Sequence, residues 1–407
     1  MADQIVVTGL GAVSALGLSA DENWEAAKAG RGGIEPHTFD PGQHGPAAAT
    51  TPAALVKGDA TAALESALGR RIGGSLDPFA SLALKAAHEA LSEAGLVGAP
   101  LGPRAAVVMG NGIGGLFTLE KAYERFFGLK ATKVHPLTIP RVMVSAPVSA
   151  IAMEFGATGA VFATSSACAS SGHAIAQGAA LIAGGLADIA VVGGSEAMAT
   201  PAGMRSWDGL QAMSETTCRP FSSGRDGMII GEGAAALVLE RESHAKARGA
   251  AALATWAGAG LSSDAFHWTQ PSLEGTTAAM TQALAPAGLA DAAEVLISTH
   301  GTGTPLNDKN EAAAIRQVFG ARAMDHPVIA TKSAHGHVIG ASAALQTVIA
   351  LRALAARQAP PILNFLGPDP ECELDLVLGH ARPIKADALI VNAFAFGGLN
   401  VTLAFVR

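Results

Sequence analysis

Residues 161–172 read Val161-Phe-Ala-Thr-Ser-Ser-Ala-Cys168-Ala-Ser-Ser-Gly172, and residues 328–337 read Val328-Ile-Ala-Thr-Lys-Ser-Ala-His335-Gly-His337. Both open on an apolar, β-branched start, pass through Ala-Thr and a Ser-Ala pair, and lead into an Ala-rich stretch of helical period. The first copy carries a cysteine where the strand ends and the helix begins. The second carries a lysine and two histidines. A second pair of segments repeats as well: Ala106-Val-Val-Met-Gly-Asn-Gly-Ile-Gly114 beside Val295-Leu-Ile-Ser-Thr-His-Gly-Thr-Gly303, each a strand followed by a glycine turn. Repeats of this kind point to an internal duplication. The halves fall at 1–250 and 251–407, and insertions at 38–60 and 120–141 enlarge the first.

Working outward, short Val/Ile-rich runs alternate with longer Ala/Leu-rich ones. Strands are predicted at 5–8, 105–109, 161–164, 189–192, 234–240, 295–298, 328–331, 389–392 and 401–405. Helices are predicted at 79–94, 170–183, 276–288, 310–319 and 339–356. Strands alternating with helices imply an α/β fold with mixed, largely parallel sheets.

The chain has 407 residues, enough for two domain-sized units. Charged residues are only 15% and the net charge is -7, which argues against a nucleic-acid binder. The low charge also suits a chain that buries surface in an oligomer. The three cysteines, Cys168, Cys218 and Cys372, have no CxxC or metal-ligand spacing, which fits a reducing compartment. The N-terminus reads as a first strand, not a signal peptide. No run of ~20 apolar residues suggests a membrane span. The expectation is a soluble, cytoplasmic protein.

Cys168 sits where a helix dipole and free backbone N–H groups favour thiolate, so it can take an acyl group as a thioester. Cys218 and Cys372 lack such a turn and read as structural. His300 ends a strand and opens the loop His300-Gly-Thr-Gly-Thr-Pro305, a position suited to a site in an α/β protein. His337 follows the second turn. Lys332 precedes an apolar, helix-opening turn, so it is expected to be buried and paired, with Glu311 as partner. His173 and His335 read as structural. Asn392-Ala-Phe-Ala-Phe-Gly-Gly-Leu-Asn400 reads either as a core-packing turn or as a mobile loop whose Phe396 caps a pocket.

With these residues in view, the chain resembles the β-ketoacyl-acyl-carrier-protein synthases, decarboxylating condensing enzymes of the thiolase superfamily, and most of all their elongating Cys-His-His branch. Four ordered motifs carry the likeness: Ser-Ala-Cys168-Ala, His300-Gly-Thr-Gly-Thr-Pro, Lys332-Ser-Ala-His-Gly-His337, and Asn392 to Asn400. Arg219-Pro-Phe-Ser222, Arg225-Asp-Gly227 and Gly231-Glu-Gly-Ala234 match between them. The resemblance implies a duplicated thiolase-like fold of five α/β/α/β/α layers with two mixed sheets. It implies a homodimer and an acyl carrier protein as partner, with no cofactor beyond the phosphopantetheine arriving on that carrier, and no metal. It makes Cys168 the acylated nucleophile. His300 and His337 promote decarboxylation of a malonyl thioester, and Lys332 and Glu311 hold the histidines. The N–H groups of Cys168 and Phe396 form an oxyanion hole, with Phe396 also a gate. Thr302 and Thr304 bind the pantetheine arm, and Ile113 borders the acyl pocket.

An acidic carrier calls for basic residues, and Arg70, Arg71, Lys121, Arg125, Lys130 and Lys133 are candidates. The chain also departs from the family pattern. Gly340-Ala-Ser-Ala343 replaces Gly-Ala-x-Gly, and Gln346 stands at an acidic position, which puts a cation site there in question. Ala393, Ala395 and Leu399 replace the frequent Ser, Gly and Thr. These features resemble specialised synthases, including nodulation-type ones. Three other readings compete: a non-catalytic chain-length subunit, a thiolase with a second reactive cysteine, and a synthase of Cys-His-Asn type.

Overall fold

A computed structural model describes residues 3–43, 45–72 and 74–407. Met1, Ala2 and Gly73 lie outside the described residues, as does His44 within the insertion expected at 38–60. Ten strands form one ladder: β1 (Ile5–Ser14), β2 (Ala105–Gly110), β3 (Val161–Thr164), β4 (Ile189–Glu196), β5 (Gly233–Arg241), β6 (Ala254–Ser263), β7 (Val295–Ser298), β8 (Val328–Ile329), β9 (Ala388–Ala395) and β10 (Leu399–Val406). Their order is β8-β7-β9-β10-β6-β1-β5-β4-β2-β3. Read from each outer edge inward, the two halves are β3-β2-β4-β5-β1 and β8-β7-β9-β10-β6, the same order twice. In each half the first three strands are parallel and the last two pair antiparallel. The two mixed five-stranded sheets meet only where Val6 and Val7 pair with Thr255 and Ala254.

Helices complete five layers. α1 (Pro78–Glu93) and α2 (Ala146–Phe155) cover the first sheet, and α4 (Leu273–Leu284) and α5 (Pro305–Phe319) cover the second. Between the sheets lie α3 (Ser170–Ala183) and α6 (Ser342–Ala356), which pack on each other. The composition of α3 explains its place. A Cβ on Gly172 would come within 2.4 Å of Val401 on β10, and one on Gly178 within 2.2 Å of Val192 on β4. Only a helix without side chains at those points fits between two sheets. Ile339–Ala356 is long and apolar enough to cross a membrane, but 83% of it is buried within the fold. It is apolar all round because protein surrounds it on every side.

The repeated segments of the sequence fall on equivalent places. Residues 106–110 and 295–298 form the second strand of each half, and residues 161–164 and 328–329 the third. Both third strands end at the central layer, so the turns that follow them face one another across the middle of the molecule.

Candidate active site

The first turn runs from Thr164 to Ser170. Ser170 Oγ accepts the Ser166 N–H (2.8 Å) and donates to Ala167 O (2.6 Å), folding the chain tightly back. Ala167 is thereby held at φ 49°, a left-handed conformation costly for a residue with a Cβ. That strain points the next side chain, Cys168, into a cavity.

The second turn is tied to the first half of the chain. His337 N–H donates to Ile229 O (2.6 Å), and Gly231 N–H donates to His337 O (2.9 Å). A Cβ on Gly231 would meet His335 O at 2.5 Å, which accounts for glycine in the Gly231-Glu-Gly segment. His337 Nε2 ends 3.0 Å from Cys168 Sγ. His300, at the end of β7, stands edge-on to His337 with ring centroids 5.4 Å apart. The sulfur and one nitrogen from each ring all lie within 4.8 Å of one another. Three residues spread over 170 positions thus converge, and all three are buried.

Lys332 is 1% exposed, as its setting required, but its partner is not the expected one. Its ammonium donates to His300 O (2.6 Å) and Gln346 Oε1 (2.6 Å), and lies 3.4 Å from His300 Nδ1. Glu311 instead accepts the N–H groups of His300 and Gly301 (both 2.8 Å) and the Asn392 side-chain amide (3.0 Å). It shapes the histidine loop through the backbone, and its charge reaches Lys332 through space. Gln346 relays the lysine to Thr299 O, to which its amide donates (2.6 Å). The glutamine therefore occupies the acidic position as a direct acceptor for Lys332.

Burial and the Lys332 charge hold both His300 and His337 well below the ordinary imidazole range, so both rings stay neutral. Burial also pushes the Cys168 thiol up to about 11. This corrects the expectation that the helix start alone favours thiolate: in the closed site desolvation outweighs it. The Lys332 charge, then the backbone N–H groups of Phe396 and Cys168, pull the other way. Those two N–H groups are the donors expected around the sulfur.

The cavity is about 350 Å³. Cys168, His300, His337, Phe394 and Phe396 form its inner end, and Thr302 and Thr304 its wall. The two hydroxyls bond each other (2.8 Å). At its rim stand Trp268, 83% exposed, and Leu306, 59% exposed, so the cavity leads to the surface. Phe396 is half-buried, and the Gly397 N–H donates to Trp268 O (2.7 Å), pinning the loop to the rim.

Ile113 is half-exposed and does not line this cavity. Neither do Arg70, Arg71, Arg125 and Lys130, all exposed; Arg70 pairs with Glu154. Cys218 and Cys372 are buried free thiols that do not line the cavity, though the Cys218 thiol donates to Thr302 O (3.3 Å) behind its wall. Among the described residues, the one group of three metal-type donors is Cys168, His300 and His337, and the neighbouring Lys332 charge opposes a divalent cation there.

Three contributors escaped the sequence reading. Ser342 Oγ lies 2.8 Å from His337 Nδ1. Buried Asp308 accepts the N–H groups of Phe221 (2.8 Å) and Gly303 (3.2 Å) and so holds the threonine loop. Buried Glu196, pushed up to about 7 by burial, accepts from Gly112 N–H (2.6 Å) and Gly340 N–H (3.1 Å), joining the loop after β2 to the turn after His337. Ser342 alone was in view, at the variable position of the Gly340-Ala-Ser-Ala343 run, where nothing marked it.

Comparison with known proteins bears on this arrangement. Residues 2–245 match the family model "Beta-ketoacyl synthase, N-terminal domain", and residues 253–366 match its C-terminal domain. Nodulation protein E of Rhizobium meliloti (strain 1021) is 39% identical over 99% of this chain and 98% of its own length. The 3-oxoacyl-[acyl-carrier-protein] synthase 2 of Coxiella burnetii is 37% identical with the same coverage. Among solved structures, the ishigamide ketosynthase/chain length factor superposes with a TM-score of 0.92 at 30% identity, covering all of both chains. With its thiol, its two imidazoles and their buried lysine set on this duplicated frame, the chain belongs to the β-ketoacyl synthase family.

Proposed function

We propose that this chain elongates carrier-bound acyl groups with Cys168 as the acyl-accepting nucleophile and malonyl-acyl carrier protein as the two-carbon donor. The observation that carries the reading is the approach of His337 Nε2 to 3.0 Å from the sulfur, with the His300 ring beside it.

In the first step Cys168 gives up its proton, its thiolate attacks an acyl thioester, the C–S bond to the carrier breaks, and the departing carrier thiolate takes up the proton that the cysteine lost. The Lys332 charge and the two N–H groups support the anion, and the same N–H groups meet the oxyanion. In the second step a malonyl thioester lies in the cavity, its arm against Thr302 and Thr304. Its oxygen accepts from the neutral imidazoles of His300 and His337, and loss of CO2 leaves an enolate. The enolate carbon bonds to the acyl carbon and the C–S bond to Cys168 breaks. The β-ketoacyl group leaves on its carrier, and the sulfur regains a proton. Phosphopantetheine arrives on the carrier, and the reading calls on no resident cofactor.

Two further elements belong to this reading. The edge strand β3 and the exposed apolar side chains Tyr123, Phe126, Phe127, Ile139 and Met143 are suited to a second copy, and we propose a homodimer. The free thiols suit a reducing cytoplasm. The retained thiol and both histidines weigh against a non-catalytic chain-length subunit. Incubation with malonyl-carrier protein and a panel of acyl-carrier primers, with products identified by mass, tests the assignment. β-Ketoacyl carriers two carbons longer than the primer support it; their absence with every primer overturns it.

A further inference from the structure

His337 has two ring nitrogens, and each has one close partner. Nε2 faces Cys168 Sγ at 3.0 Å, and Nδ1 faces Ser342 Oγ at 2.8 Å. A neutral imidazole carries one proton, so it donates from one nitrogen only. Which nitrogen carries it is set by the group behind the ring. A ring that donates into the cavity must hold its proton on Nε2, and Nδ1 must then accept.

His300 meets this condition through Lys332. The ammonium stands 3.4 Å from Nδ1 and has no lone pair, so it can only donate. Among the described residues, the partner at the back of the His337 ring is a hydroxyl and not a cation. We infer that Ser342 is the positioning residue that fixes His337 as its Nε2–H tautomer, its hydroxyl donating to Nδ1; this rests on the functional reading above. Ser342 is fully buried in the first turn of α6. Hydroxyls in helices commonly bond back to a carbonyl four residues earlier, as Thr347 does to Ala343 O (2.7 Å). Among the described residues the Ser342 hydroxyl bonds the ring nitrogen and no carbonyl, so accepting from Nδ1 would leave its own buried proton without a partner. The serine hydroxyl makes its bond to the ring.

The test uses S342A, which removes the hydroxyl and little volume, with S342T as the variant that restores it. Nitrogen-15 NMR of histidine-labelled protein, with the His337 signals assigned by their loss in H337N, reads the tautomer directly. The wild type is expected to show a proton on Nε2 and an accepting Nδ1, and S342A a mixture of tautomers. In S342A, kcat for malonyl decarboxylation should fall about tenfold with KM within about twofold, the effect expected of a hydrogen-bond partner behind a reacting group. S342T should recover most of that loss. A wild-type proton on Nδ1 overturns the inference, as does S342A with unchanged NMR and unchanged kcat. If S342A does not fold, the wild-type spectrum decides alone. Failure of the parent reading shows separately, as a wild type that forms no condensation product.

Discussion

The two turns that build the site are copies of one device, and they do opposite things with it. Aligned by their strands, Ser165 corresponds to Lys332 and Cys168 to His335. In the first turn, strain at Ala167 points the reactive atom into the cavity. In the second, His335 lies 2.9 Å from Thr331 Oγ1 instead, and burial holds it neutral, down to about 3. His337, two residues further on, reaches the cavity in its place. The strands differ too. β3 is partly exposed along its length and β8 is buried. Duplication therefore supplies two backbone frames that face each other, and the chemistry comes from what breaks their symmetry.

The largest expected effect comes from emptying the second turn of its ring. H337A should lower the condensation kcat by about 10²–10⁴, the usual worth of a placed proton donor, while the fold persists by circular dichroism. A variant retaining more than a tenth of the rate would mean that the second turn is scaffolding only.

Next is the tie between the halves. G231A puts a Cβ 2.5 Å from His335 O, a backbone atom with little room to yield. It should destabilise the protein by about 1–3 kcal/mol in denaturant unfolding and displace His337. Unchanged stability and rate would show that the second turn is held elsewhere.

Lys332 joins the turns electrostatically. Its charge lowers the thiol's affinity for a proton against the stronger pull of burial. Alkylation by iodoacetamide, read on the Cys168 peptide, should therefore rise with pH through the alkaline range. Burial lowers Lys332 to about 8, so its charge is present at pH 7 and fades above 8; K332M should slow labelling at pH 7 about tenfold, and the two curves should converge as pH rises. Labelling at pH 7 as fast as wild type would remove the lysine from the account.

The smallest effect is assigned to the outer surface of the first half. R70E reverses a charge that is exposed, already paired with Glu154 and outside the cavity lining. KM for the carrier protein should change by less than about threefold, as expected of a surface pair. A larger rise would identify Arg70 as a docking residue.

Much of the frame was legible because its strands are rich in Val and Ile and its helices in Ala and Leu. Residues 161–164, 295–298 and 170–183 were read to the residue. β6 was missed. Its sequence, Ala-Thr-Trp-Ala-Gly-Ala-Gly-Leu-Ser-Ser, has little β propensity, and it is a strand because β10 pairs along its whole face. α2 was missed although Val148, Ile151 and Phe155 face the core, because ten residues are too few for a helical period to stand out. The short helices between 116 and 142 were missed because most of their side chains stay out of the core. At the site, motif order identified the residues that converge. It could not show what only packing decides: that Lys332 bonds Gln346 rather than Glu311, that burial overrides the helix start at Cys168, or that the serine in Gly340-Ala-Ser-Ala343 reaches the back of the His337 ring.

The most direct test follows the sulfur itself. Purified protein is mixed with an acyl-carrier primer, the Cys168 peptide is weighed by mass spectrometry, and malonyl-carrier protein is then added. The acyl mass should appear on Cys168 and on neither Cys218 nor Cys372, then vanish as CO2 and a β-ketoacyl carrier form. Acyl transfer to another residue, or an acyl-Cys168 that malonyl-carrier protein does not discharge, contradicts the account.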